Sequence, residues 1–189
     1  VSDTDALPAP PGRERRVLPV AAVVAVLAVV LSGGYIVAGA LAEPAGPPIT
    51  VASVLRISPL SGWQLAQRFG DPPGARLTRG SGNLDVAAVP FGGDADDLLR
   101  GYVDDVLEPQ ASQLSLSAVE HVSLGSGLRG SRVSFVGTFG DVHSPIEGQI
   151  SAVVSPTGVG AVFDGWAPSG LLRYVLDDIE RMVAGAEVS

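Results

Sequence analysis

The chain has 189 residues, a net charge of −8, 12 basic residues that are all Arg, and no Cys. An acidic surface repels phosphate, and no basic patch with interleaved aromatics occurs, so no nucleic-acid partner is expected. The lack of cysteine excludes a disulfide framework and leaves no residue for a lipoprotein anchor, so an exported domain would rest on its core alone.

Residues 1–16 are short and rich in Pro and Asp, with Asp3, Asp5 and Glu14 balanced by Arg13, Arg15 and Arg16. They read as a disordered cytoplasmic tail. Residues 17–42, VLPVAAVVAVLAVVLSGGYIVAGALA, contain no Asp, Glu, Lys, Arg or His. As a helix this run would span roughly 39 Å against a hydrocarbon core of about 30 Å, which predicts one transmembrane helix. Pro19 falls in the first turn, where its missing N–H costs nothing. Ala40-Leu41-Ala42 is a pattern that a signal peptidase could cut, but the apolar run is longer than a signal peptide's, favouring an uncleaved anchor. The three Arg before the span, with none after it until Arg56, put the N-terminus in the cytoplasm and the C-terminal domain outside. Residues 43–48, EPAGPP, form a Pro/Gly linker.

From Glu43 onward there are 9 Arg against 17 Asp and Glu, so the exported part carries the whole net charge. The all-Arg basic set, the many Ala, Gly and Val, and a leading Val of the kind a GTG codon gives suggest a high-GC bacterium, such as an actinobacterium.

Residues 49–189 read as one extracytoplasmic α+β domain. The apolar period is two in Ile49 to Ile57, taken as one strand, and in a segment holding Trp63, Leu65 and Phe69. Ala75 to Arg79 and Asn83 to Val89 flank Gly80-Ser81-Gly82 as a hairpin. Leu114 to Leu124, Val133 to Phe139, Ile146 to Ser155 and Val159 to Trp166 continue the pattern, which predicts an antiparallel sheet with a buried and a wetter face. Two helices accompany it. Asp94 caps the first, whose apolar positions run from Ala95 to Leu107 before Pro109 stops it; Ser169 starts the second, with Leu172, Val175, Leu176, Ile179, Met182 and Val183 on one face. Its exposed side spaces Arg173, Asp177 and Arg181 at i, i+4.

Chemical motifs are sparse. Gly125 to Gly130 spells G-x-G-x-x-G, but a strand follows where a pyrophosphate site needs a helix N-terminus, so it reads as a hairpin loop and no cofactor is expected. No G-x-S-x-G occurs, and no metal site is expected. An envelope hydrolase would have to draw on His143 with Asp141 and Glu147, or on His121, which alternates outward on its strand. The acids of the first helix read as a solvated face. Trp63 and Trp166 each follow a glycine at a strand end, where large rings either cap a core or form a recognition platform; they are the candidate binding residues.

ISPLSGW, LTRG-SGNLDVAAVPF, the amphipathic helix, IEGQISAVV and GVGAVFDGWAP with a terminal helix resemble the exported domains of uncharacterised actinobacterial membrane proteins, and their order is similar to the PsbP-like fold, over Ile49 to Val188. The resemblance implies a non-enzymatic adaptor beside lipid exporters, as in LpqN-type lipoproteins and the trehalose monomycolate transport factor, with an envelope protein or lipid as partner. It matches no functional residue. It also implies a sheet covered on both faces, whereas the Ser-rich strands suggest one open face.

Overall fold

The computed structural model describes residues 46–140 and 145–189. The predicted tail, the transmembrane helix and residues 43–45 of the linker, together with Asp141 and His143, lie outside the described residues. No helix among the described residues is long and apolar enough to cross a membrane. The described residues belong to one compact unit.

The unit opens with β1 (Ile49–Val51) and β2 (Leu55–Ile57), an antiparallel hairpin in place of the single strand expected. Ala52 and Ser53 break it: both have positive φ, 50° and 64°, and Val54 N–H closes the turn onto the Val51 carbonyl. The period of two survives such a turn unchanged, which is why the alternation did not reveal it. The C-terminal β11 (Glu187–Val188) adds to the outer edge of β2.

The main sheet is antiparallel throughout, in the order β3 (Gln64–Gly70), β4 (Pro73–Arg79), β5 (Gly82–Pro90), β10 (Val159–Pro168), β9 (Ile146–Val154), β8 (Arg129–Phe139) and β6 (Ala111–Leu116), with β7 (Glu120–Ser123) also on β8. The glycine hairpin between β4 and β5 forms as expected, pairing Arg79 with Gly82. The expected strand 114–124 is two strands. Ser117 Oγ accepts the Ser134 N–H at 3.0 Å and Ser117 N–H bonds the Ser134 carbonyl, after which the chain leaves the ladder until Glu120 pairs with Arg132. The G-x-G-x-x-G segment is the turn joining β7 to β8, with Leu124 N–H on the Leu128 carbonyl.

Helix α1 (Ala95–Tyr102) is capped as expected, Asp94 Oδ1 accepting the Asp97 N–H at 2.9 Å. It gives way to one wide turn over Val103–Leu107 and a tight turn over Glu108–Gln110, where Pro109 ends it. Helix α2 (Leu176–Ala184) starts later than the sequence suggested. Ser169 N–H is held by the Pro145 carbonyl, a tight turn occupies Leu172–Tyr174, and Glu147 Oε1 accepts the Leu172 N–H at 3.0 Å.

Both faces of the sheet are covered. On β10, Ala161, Phe163 and Ala167 belong to a core with Leu77, Leu84, Val86, Ile179, Met182 and the strands β1 and β2, whereas Val162 joins a second core with Leu98, Leu99, Phe135 and Ile150. The pleat sends alternate residues of one strand into two cores, so α2 and the small sheet close one face and α1 the other. Gly165 lets α2 settle: a Cβ there would lie 2.7 Å from Ile179 Cγ2. Ser115 and Ser123 lie on the outer strands β6 and β7 and are wet, whereas Ser151 on β9 and Ser155 just after it are buried within the covered sheet.

Candidate binding pocket

The α1 face carries one transverse row of side chains that runs from charged to apolar. Arg76 on β4 stands opposite Asp85 on β5, Asp85 opposite Asp164 on β10, Asp164 opposite Ile150 on β9, and Ile150 opposite Val133 on β8. Two acids directly opposed on one face repel each other. The fold answers with Arg76, whose Nε and Nη2 each donate to Asp85 at 2.6 Å, a two-pronged pairing that uses both carboxylate oxygens. Asp164 receives one bond, from the Tyr102 hydroxyl of α1 to Oδ2 at 2.9 Å. Its Oδ1 is buried and has no hydrogen-bond partner among the described residues.

A second row flanks the first: Trp166 on β10 faces Gly148 on β9, which faces Phe135 on β8. Gly148 is required here, because a Cβ would lie 2.4 Å from the Phe135 ring. That ring meets Phe139 edge to face at 5.9 Å. Trp166 Nε1 reaches Asp85 Oδ2 at 3.5 Å, and the Arg76 guanidinium lies over the Trp166 ring at 5.5 Å. The wide turn after α1 brings Val106 and Leu107 over these residues. Together with Tyr102, Gln110 and Ile146 they enclose a cavity of about 370 Å³ with Asp164 in its wall.

The environment sets the protonation of this wall. Burial pushes the Asp164 carboxyl up to about 7, and the Asp85 charge adds to the rise, while the Tyr102 bond and Arg76 oppose it. Burial, then the Asp164 charge, raises the Tyr102 hydroxyl, so it stays a donor. The Asp85 bond raises Arg76, so it stays a cation.

Trp63 and Trp166 do not share a groove. Trp63 is 5% exposed in the core on the α2 face, and its Nε1 donates to Asp178 Oδ2 at 3.2 Å. Asp178, also buried, accepts in addition from Arg79 and Arg181. Arg181 thus pairs with Asp178, besides its bond to the Asp177 carbonyl, and Arg173 stacks on Tyr174. Trp166 alone of the two tryptophans lines the cavity.

Of the residues an envelope hydrolase would use, Glu147 holds the Leu172 N–H, and the His121 side chain is 81% exposed on β7. His121 Nδ1 lies 3.9 Å from Asp96 Oδ1, the oxygen to which Ser131 Oγ donates. The carboxylate stands between serine and imidazole, whereas nucleophile activation needs the imidazole on the hydroxyl. Among the described residues no three His, Asp or Glu side chains converge as metal ligands.

The sequence reading missed Asp164, Arg76, Asp85 and Tyr102. Two signals were available: an acid flanked by Phe163 and Gly165 inside an otherwise apolar strand, and the hairpin register that sets Arg76 opposite Asp85. Tyr102 falls among the apolar positions of the first helix, where its hydroxyl carries no signal of its own.

No family model and no curated protein matches the sequence. Solved structures do match. The domain is similar to cyanobacterial PsbP of Synechocystis, with 16% identity, a TM-score of 0.55, and 78% of this chain covered against 96% of that one. It is similar to the Ran-binding protein Mog1p of Saccharomyces cerevisiae, with 9% identity, a TM-score of 0.56, and coverage of 77% and 96%. It is also similar to LpqN of Mycobacterium tuberculosis, described as involved in cell envelope biogenesis, with 13% identity, a TM-score of 0.52, and coverage of 77% and 86%. At these identities the likeness establishes the fold: a PsbP-like α+β domain with an antiparallel sheet.

Proposed function

We propose that this chain is a non-catalytic accessory protein of a bacterial cell envelope that captures an envelope protein or lipid partner through the Trp166 pocket. Residues 17–42 serve as a single uncleaved span with residues 1–16 in the cytoplasm, and the PsbP-like domain stands outside on the linker of residues 43–48. The observation that carries the reading is a cavity walled by aromatic rings and by Asp164, a buried carboxylate whose Oδ1 has no partner among the described residues, the make-up of a binding site. The arginine cluster before the apolar run supports the orientation. The envelope role described for LpqN and the partner binding named for Mog1p accord with an accessory role.

The test pairs binding with stability in the full-length protein in cells. Trp166→Ala is expected to abolish crosslinks to the partner while the protein accumulates and melts normally. Crosslinks that survive the substitution would exclude the pocket. For the anchor, alkaline phosphatase fused after Ala42 should be active, and a mature protein beginning at Glu43 would overturn the uncleaved span.

A further inference from the structure

We propose that the Trp166 pocket accepts an organic primary ammonium group on an apolar body, its charge matched by the Asp164 carboxylate. This rests on the reading of the pocket as the binding site and names the chemistry it selects.

Three observations lead there. First, the pocket's formal charges are Arg76, Asp85 and Asp164, and Arg76 commits two of its donors to Asp85 at 2.6 Å. The charge left over is therefore the negative one of Asp164. Second, Asp164 lines the cavity of about 370 Å³, and its carboxylate is under-bonded, the buried Oδ1 having no partner among the described residues. Leaving such an oxygen unbonded is costly, and an N–H or O–H donor removes the cost. Third, the rest of the wall is aromatic and aliphatic, including Phe135, Phe139, Ile146 and Trp166. Ring faces attract cations and cover apolar stems. An anionic group would meet two carboxylates, and Arg76, the guanidinium in the described lining, already gives two donors to Asp85. A neutral hydroxyl could bond the carboxylate but would leave the charge unmatched.

The groups facing Asp164 are Tyr102 from α1, Asp85 from β5 and, beyond Asp85, Arg76 from β4; β9 presents the apolar Ile150. Of these, Asp164 is the carboxyl raised to about 7. An ammonium ion binds the ionised form, so affinity is gained as pH rises through this value and lost below it.

The test uses full-length protein in a nonionic detergent and three probes of one shape: 2-phenylethylamine, 2-phenylethanol and 3-phenylpropionate. By calorimetry at pH 8 the amine is expected to bind at least tenfold tighter than the alcohol, and the carboxylate not at all. Amine affinity should fall about tenfold between pH 8 and pH 6 in the wild type, following the ionised fraction of Asp164. Asp164→Asn should remove both the preference and the pH dependence. An alcohol that binds as well as the amine, or an amine preference that survives Asp164→Asn, would overturn the ammonium assignment and leave the pocket standing as a binding site. If no probe binds, the ammonium assignment also fails, and the crosslinking of Trp166→Ala then decides separately whether the pocket reading fails with it.

Discussion

The two faces of the sheet use the same three residue types, tryptophan, aspartate and arginine, to opposite ends. On the α2 face, Asp178 is buried but accepts from Trp63, Arg79 and Arg181, so its charge is matched and α2 is tied to the end of β4. On the α1 face, Asp164 is buried with one donor, Tyr102, because the neighbouring arginine serves Asp85 instead. A buried charge that is fully partnered is a fastening, and one that is partly partnered is a cost that folding alone does not explain. The first kind holds the domain together. The second is the feature on which the proposed binding role of this face rests.

The largest difference should come from the tryptophans. Trp63→Ala removes a core ring and the bond to Asp178 and is expected to cost ~3–5 kcal/mol in denaturant unfolding. A loss below ~1 kcal/mol would remove Trp63 from the fastening. Next comes the pH dependence of Asp164. Its folded pKa of about 7 lies above the ordinary 3.8, so between these values the folded state holds more protons than the unfolded one and stability falls as pH rises. Asp164→Asn removes that loss while an amide oxygen can still accept from Tyr102. The variant should be more stable than the wild type by roughly 2 kcal/mol at pH 8 and little different near pH 3. Equal stability at both pH values would mean that the carboxyl is not under burial stress. Trp166→Ala, at a half-buried ring that lines a cavity, should cost about 1 kcal/mol or less, well under the Trp63 value. The smallest effect is expected at His121, exposed on β7, where replacement by Ala should stay within ~0.5 kcal/mol. A larger loss there would point to a structural role for its approach to Asp96.

Much of the fold was within reach of the residues. The period-two runs located the strands because one side of each pleat is packed, and Asp94 and Pro109 bracketed the first helix through capping and the missing N–H. Breaks that preserve parity were invisible: the Ala52-Ser53 turn and the Ser117 exit keep apolar residues in step on both sides. The second helix was placed too early because Ser169 looks like a cap, yet Glu147, a residue from a distant strand, makes the bond that starts the turn before it. The Arg76 and Asp85 pairing was recoverable, since the Gly80-Ser81 loop fixes the register that sets residue 76 opposite 85. The contrast between Trp63 and Trp166 was not. Both follow a glycine in an apolar context, and only the tertiary packing shows that one meets three-way compensated Asp178 while the other opens onto a cavity.

The most direct measurement is the titration of the Asp164 carboxyl carbon by NMR in the full-length protein, assigned through its loss in Asp164→Asn. An uncompensated acid in the pocket wall gives an inflection near pH 7, as burial beside Asp85 requires. An inflection near the ordinary carboxylate value of about 4 would show that Asp164 is as well matched as a solvated acid, and would contradict the division of the molecule into a fastened face and a binding face.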